Sequence, residues 1–250
     1  MDLQERIENY WSQSAENFSE GIRKELQGSA KNAWLELIQS NAALGVSLKV
    51  LDIGTGPGFF AILLSLLGHR VTAIDCTESM LEEARNNAEK AGFQAEFARM
   101  DCHRLAYADK SFDLIICRNL VWTLRDPEEA YREWYRVLKS FGKLLIFDAN
   151  WYLRLFDAEI RREYEEDRKR ARDMGIEDPH DKADLDESDP IARQLFLSDK
   201  RRSQWDVPAL INCGFKKIFV DVDISDQVWT PEKKILYRST PMFMVGAEKA

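Results

Sequence analysis

Positive charge is in short supply: 35 Lys and Arg face 43 Asp and Glu, a formal net charge of −8 over 250 residues. A surface that holds nucleic acid or an anionic membrane needs clustered cations, so this balance argues against both as principal partners and toward work on small molecules. Long apolar runs are missing too. No segment reaches 18 apolar residues, the length that crosses a bilayer, and Met1 to Tyr10 is charged where a signal peptide would be apolar. Cysteine is sparse: Cys76, Cys102, Cys117 and Cys213 form no CxxC pair and no small-domain disulfide framework, which suits reduced thiols in a cytoplasm. Gly at 12 and Pro at 7, with 45% hydrophobic and 31% charged residues, exclude collagen-like, low-complexity and wholly disordered chains. The expectation is a cytoplasmic globular protein, one domain carrying an insertion.

Apolar residues at helical spacing (Leu3, Ile7, Tyr10, Trp11, Phe18, then Ile22, Leu26, Trp34, Leu37) predict a helical segment over 1–45. From Leu48 the pattern changes to short continuous apolar runs separated by helices, which predicts strands at Leu48–Ile53, Arg70–Asp75, Gln94–Ala98, Phe112–Cys117 and Lys143–Asp148. Gly68 and Gly92 read as helix stops, and Asp126–Pro127–Glu128–Glu129 as a helix start. Alternating strands and helices imply a doubly wound, mostly parallel α/β sheet, with a core over 46–150. The rhythm breaks over 151–205, where Asp157–Met174 reads as a solvated helix laced with i,i+4 ion pairs and Glu177–Asp189 as an acidic, poorly patterned run. This segment reads as an inserted helical cap after the fifth strand. The core then closes over 206–250 with a helix at Val207–Cys213 and strands near Lys216–Val222 and Met242–Ala247.

Chemistry concentrates where the first strand opens into a helix: Val50–Leu51–Asp52–Ile53–Gly54–Thr55–Gly56–Pro57–Gly58–Phe59. Glycines are needed where a ligand approaches the backbone and the strand turns sharply. A dinucleotide fingerprint requires a small residue at 59, where this chain has Phe, so Gly54, Gly56 and Gly58 argue against an NAD enzyme. Asp75 ends the second strand, where an acid accepts both ribose hydroxyls. Asp101 ends the third, able to accept from an adenine amino group. One acid at a strand end is commonly a helix cap; three at successive ends point to a nucleoside.

These residues resemble the class I S-adenosylmethionine-dependent methyltransferases, in particular the small-molecule group that includes the ubiquinone and menaquinone C-methyltransferases. The matching pieces are 51–58, Ala73–Ile74–Asp75 with Ser79–Met80–Leu81, Asp101, Phe112–Asp113–Leu114–Ile115 and Tyr135–Arg136–Val137–Leu138–Lys139. The resemblance implies a Rossmann-like seven-stranded sheet with only the last strand antiparallel, and S-adenosyl-L-methionine as cofactor. By position it implies Asp52, Gly54, Thr55, Gly56 and Gly58 around the methionine portion, Asp75 at the ribose, Cys76 and Met80 on the nucleoside, and Asp101 with Cys102 at the adenine. N-terminal aromatics, Tyr10, Trp11 and Phe18, become lid candidates over the cofactor, with Tyr10 also a substrate candidate. One departure is Lys139–Ser140–Phe141–Gly142 in place of the family's Lys-Pro-Gly-Gly turn.

At the end of the fourth strand, Arg118 and Asn119 are candidates for the cofactor, and Asn119 and Trp122 for the substrate. The Asn/Asp-Pro-Pro-aromatic run that holds a flipped base is absent there, in keeping with the charge. Asn150, Trp151 and Tyr152 bring polar and aromatic groups to the same rim, as substrate contacts or as packing for the cap. His69, His103 and His180 suggest no base, His103 reading as a surface or capping residue away from the methyl. The thiols lack metal-site spacing, so no metal is expected. Two functions remain: methyl transfer to a small-molecule acceptor, or a regulatory module that binds the cofactor or its demethylated product without turnover.

Overall fold

The computed structural model describes residues 1–28, 30–42, 47–178 and 185–250. Apolar runs become central strands because helices cover both faces of the sheet, which removes any polar alternation. Strands β1 (Lys49–Ile53), β2 (Arg70–Asp75), β3 (Glu96–Arg99), β4 (Phe112–Arg118) and β5 (Leu138–Asp148) are mutually parallel, while β6 (Lys217–Asp221) and β7 (Phe243–Glu248) complete one seven-stranded sheet. The order is β3-β2-β1-β4-β5-β7-β6, and β7 runs antiparallel to both of its neighbours, as expected. The strand order reverses between β1 and β4, so a crevice opens above their carboxyl ends, where ligands of such sheets bind.

Helices α1 (Leu3–Gln27) and α2 (Ala30–Asn41) precede the sheet. α1 starts at a capping box in which Asp2 accepts from the Glu5 N–H and the Glu5 side chain accepts from the Asp2 N–H. α3 (Phe59–Leu66) and α4 (Glu78–Lys90) follow β1 and β2, with the expected left-handed glycines, Gly68 and Gly92, just beyond them. α5 (Pro127–Val137) is capped by Asp126, which accepts from the Glu129 N–H. On one side of the sheet Trp34 meets Phe59, Phe60 and Phe147 with ring centroids 5.2–5.9 Å apart. On the other, Tyr131, Trp134 and Leu138 are fully buried. Each fully buried Phe or Leu contributes about 1.5–3 kcal/mol, so these two layers hold the crevice rigid from below.

After β5 come α6 (Ala158–Asp173), α7 (Leu185–Ala192) and α8 (Arg202–Cys213), and between β6 and β7 lie α9 (Ser225–Val228) and α10 (Pro231–Leu236). α6 is less solvated than its composition suggests. It carries the i,i+4 pair Lys169–Asp173, yet Asp167, Arg168 and Ala171 are buried. Charges from elsewhere make that burial tolerable: Asp167 accepts from Arg238 Nε at 2.7 Å and the Ser239 N–H at 2.8 Å, and Arg168 pairs with Asp178 at 2.7 Å. α8 begins five residues before the expected Val207, because Arg202, expected within the inserted cap, turns into the interior. Arg202 is 1% exposed and reaches Asp148 Oδ2 at 2.8 Å and Asp206 Oδ1 at 3.2 Å, while Tyr131 donates to the same Asp206 oxygen at 2.6 Å. Replacing Arg202 by Met leaves two buried carboxylates without their cation, so Arg202→Met should cost about 3–5 kcal/mol in urea unfolding.

Residues 139–142, expected as a turn before a strand at Lys143, are instead a strained stretch within β5. A Cβ on Gly142 would lie 2.9 Å from the Lys139 carbonyl oxygen, and the preceding Phe141 sits at φ +64° with its side chain 77% exposed. A left-handed conformation costs a side-chain-bearing residue about 1–2 kcal/mol. Phe141→Gly should therefore stabilise the protein by about 1 kcal/mol, read as a raised denaturant midpoint at unchanged slope.

Candidate functional site

The crevice above β1 and β4 is a cleft of about 790 Å³, counting its open mouth. Its floor is the strand ends. Gly54 and Gly56 stand at φ +64° and +51°, and a Cβ at Gly54 would collide with Leu120, so only glycine fits that approach. Asp75 and Cys76 end β2, Met80 comes from α4, and Asp101 with Cys102 follow β3; all face the cleft. Arg118 and Asn119 close it from β4, and Trp11 and Phe18 of α1 form the roof. These eleven residues, all expected at the cofactor, are brought together.

Asp52, Thr55 and Gly58 are placed differently, beneath the wall. Asp52 is 2% exposed and accepts from Thr55 Oγ1 at 2.7 Å, pinning the glycine turn from below. Gly58, at φ +89°, caps α3 where a Cβ would press on Ala84. Burial pushes the Asp52 carboxyl from its ordinary 3.8 up to about 7. The folded chain thus holds this proton more tightly than the unfolded one. The resulting stability is complete below pH 3.8 and lost as pH rises through about 7. Between pH 5 and 8 the wild type should lose about 2–3 kcal/mol more unfolding free energy than Asp52→Asn, in urea titrations at each pH. Asp75, whose carboxyl burial also raises, is present in both proteins and drops out of the comparison.

Asp75 is already well bonded. Its Oδ1 accepts from the Thr77 N–H and hydroxyl, both at 3.0 Å, and its Oδ2 from the Gly56 N–H at 3.0 Å. Of about four lone-pair positions, one on Oδ2 is left for a ligand hydroxyl. Asp101 is engaged by the His103 N–H at 2.9 Å, the His103 ring at 2.6 Å and Arg125 at 2.9 Å. Against the raising effect of burial, these donors hold the Asp101 carboxyl below its ordinary value. His103, read as a surface or capping residue, is buried and lines the cleft. The Asp126 N–H donates to its Nε2 at 3.4 Å, which leaves Nδ1 carrying the proton toward Asp101.

The donor atoms of Asp101, Cys102 and His103 lie within 4.8 Å of one another. Burial raises the Cys102 thiol well above its ordinary value and both ring nitrogens of His103 are engaged, so the trio forms a hydrogen-bonded brace. Cys76 and Cys117 are raised in the same way and stay neutral. His69 accepts from the Leu48 N–H at 3.3 Å at the opposite end of the sheet, and His180 lies outside the described residues.

Asn119 is the least satisfied group in the cleft. Its backbone is at φ +55°, its N–H is bonded to the Phe147 carbonyl at 2.9 Å, and its buried Oδ1 has no hydrogen-bond partner. Asn tolerates the left-handed conformation better than most residues, and its Oδ1 is shut off from solvent as well as from any donor. Arg118 lies over the Phe59 ring at 3.9 Å and bonds Glu25 Oε1 at 2.7 Å. Burial would raise the Glu25 carboxyl, but Arg118 and Lys233 hold it down at about 2. Glu25 gave no sequence signal, because it stands on the polar-looking end of an amphipathic helix.

Of the substrate candidates, Asn150 and Trp151 serve the scaffold. Asn150 Oδ1 accepts from the Arg202 N–H at 2.9 Å, and the Trp151 indole donates to Asp148 at 3.1 Å while its ring meets Tyr237. The buried Asp148–Arg202 pair draws that segment inward. Tyr152 stacks on Trp122 with centroids 4.7 Å apart, and Trp122 and Tyr10 border a side pocket beside the main cleft.

The comparisons with known proteins agree with this geometry. Residues 51–146 match the model of the methyltransferase domain family. The core is thus similar in sequence to the methyltransferase domains, and its sheet has their fold. Over 115 residues the chain is 34% identical to the uncharacterized methyltransferase YcgJ of Bacillus subtilis, covering 46% of each chain. Over 104 residues it is 35% identical to the demethylmenaquinone methyltransferase of Bacteroides fragilis, covering 40% of this chain and 42% of the relative. The matched segment thus spans less than half the length of these relatives. An S-adenosylmethionine-dependent methyltransferase from Aquifex aeolicus shares the fold at TM-score 0.56 and 22% identity, over 93% of this chain and 98% of that one. The phosphoethanolamine methyltransferase 2 of Haemonchus contortus, solved with S-adenosylhomocysteine, shares it at TM-score 0.59 and 18% identity, over 87% of this chain and 52% of that one. Among the described residues no helix is long and apolar enough to cross a membrane.

Proposed function

We propose that this protein transfers the methyl group of S-adenosylmethionine to a small-molecule acceptor. The observation that carries the reading is the cleft at the carboxyl ends of the strands, which gathers Gly54, Gly56, Asp75, Asp101 and Asn119 around one space. The residues present fit the cofactor. Gly54 and Gly56 leave the backbone bare for its methionine portion, Asp75 has one lone-pair position for a ribose hydroxyl, and Asn119 stands on the same wall. Arg125 covers Asp101 from a half-exposed position, and such surface pairs are worth about 0–1 kcal/mol, so the adenine edge of the site opens at little cost. Trp11 and Phe18 cover the cleft from α1.

Bound in this cleft, the cofactor supplies an activated methyl group on a sulfonium. The work left to the chain is alignment and exclusion of water, worth about 7–11 kcal/mol of barrier, and it needs no dedicated base. α1 does this as a lid latched by Glu8 to Arg99 at 3.1 Å and by Arg6 to Glu187 of α7 at 2.8 Å. α1 and α7 together close over the core.

Calorimetric titration with S-adenosylhomocysteine tests the reading, with NADH as control. Wild type should bind the former and not the latter, and Asp75→Ala should weaken binding at least tenfold, since a hydrogen bond to a charged group is worth about 1.5–3 kcal/mol. Absence of S-adenosylhomocysteine binding by folded wild type would overturn the proposal. Binding with no labelled methyl transferred to any acceptor would instead point to a regulatory module.

A further inference from the structure

The sheet ends in two edge strands, β3 and β6, and among the described residues neither has a strand on its outer side. An open edge presents a row of unpaired N–H and C=O groups, and proteins blunt it with proline, a bulge or a covering element. β3 is held from α1: Arg99 donates to Glu8 at 3.1 Å, and to the Cys76 carbonyl at 2.9 Å. β6, Lys217–Ile218–Phe219–Val220–Asp221, contains no proline and pairs with β7 in unbroken register. Among the described residues no hydrogen bond joins its backbone to any element but β7. Apolar surface accompanies that open edge, with Val220 37% and Val222 68% exposed.

We infer that β6 is the interface through which two copies of this chain associate, edge to edge and antiparallel, about a two-fold axis at Phe219. The inference does not depend on the methyltransferase reading. A two-fold contact is isologous, so every pairing across it occurs twice. With the axis at Phe219, Lys217 of each copy stands opposite Asp221 of the other, and Ile218 opposite Val220. Opposite Cβ atoms in such a ladder lie about 4.5–5.5 Å apart, within reach of a Lys–Asp ion pair. Both charges have capacity to spare. Lys217 is exposed and spends one of three donors on Glu248 at 2.8 Å, and Asp221 accepts from the Asp223 N–H at 3.3 Å and the Gln227 side chain at 3.5 Å, both long. The next pairing sets Lys216 against Val222, so no like charges oppose. The Phe219 ring lies over Gly246 of β7, where a Cβ would collide with it, and so leans away from the axis. Moving the axis to Ile218 or to Val220 sets Asp221 against Phe215 or Phe219 and strands its charge. β3 offers no such match, because Glu96 and Arg99 stand three positions apart, on opposite faces, and no axis brings them together. β7 and β5 separate the β6 edge from the cleft, so association leaves the cofactor site as it is.

Sedimentation velocity on the full-length protein, diluted from near-millimolar to nanomolar concentration, reads the association. Wild type should pass between the 29.0 kDa chain and a species of twice that mass. Lys217→Asp and Asp221→Lys each place like charges in opposition twice, and each should weaken association at least tenfold while circular dichroism stays that of wild type. An equimolar mixture of the two variants should dimerise again, because each acid of one copy then faces a lysine of the other. Wild type that stays monomeric throughout leaves the edge to a strand of another protein and would overturn the inference, and this arm stands even if a variant does not fold. Association unchanged in the folded variants, or a mixture that stays monomeric, would overturn it equally.

Discussion

One buried carboxylate ties the roof of the cleft to its floor. Glu25, near the end of α1, accepts from Arg118 at 2.7 Å and the Trp34 indole at 3.0 Å through Oε1, and from Lys233 at 3.2 Å through Oε2. Taking a carboxylate out of water costs several kcal/mol, and only a full set of partners offsets it. Those partners belong to the end of β4, to α2 and to α10, so the site for Glu25 exists only when all three have assembled. The other end of the same helix carries Trp11 across the cleft. Because Arg118 lies flat on Phe59, the first residue after the glycine turn, the lid helix and the cofactor loop are fixed by one guanidinium.

The polar groups of the cleft are braced before any ligand arrives. Asp75 is fixed by three donors from its own loop and the glycine turn, and Asp101 by His103, which Asp126 orients in turn. Such bracing lowers the ordering cost of binding, because the carboxylates need not be recruited into position. The exceptions are informative. Asn119 is held at φ +55° with a buried, unmet acceptor, and Arg125 sits half-exposed on Asp101.

How much of this was legible in the sequence follows from how local each feature is. The strands β1, β2 and β4 came through within a residue or so at their ends, because continuous apolar runs bounded by glycine leave few alternatives. The residues at the carboxyl ends of strands were legible for a topological reason: a parallel sheet brings successive strand ends to one edge whatever else the chain does. Residues whose roles depend on distant partners were not. Arg202 reads as part of the inserted cap until Asp148, 54 positions away, is placed against it, and Trp151 reads either as a substrate contact or as packing until that same carboxylate takes its indole. Asp52 lies in the motif yet faces inward, since strand alternation in a fully buried strand gives no cue to which face meets the ligand. His103 was undervalued because burial at a loop is invisible to periodicity.

The side pocket has its own bearing on how the molecule comes to be. Its walls join α1 to the segment around Ile191, and the ion pair that latches them, Arg6 to Glu187, spans 181 positions. Closing so long a loop must wait for much of the intervening chain to order, since contacts of great sequence separation repay their entropy only late. On a growing polypeptide the first helix has no partner for this face until residues near 190 have been made. The sheet and its glycine turn, matched over 51–146, involve much shorter separations and can consolidate beforehand. The molecule can therefore possess the floor of its main cleft before it possesses the wall that α1 and α7 complete.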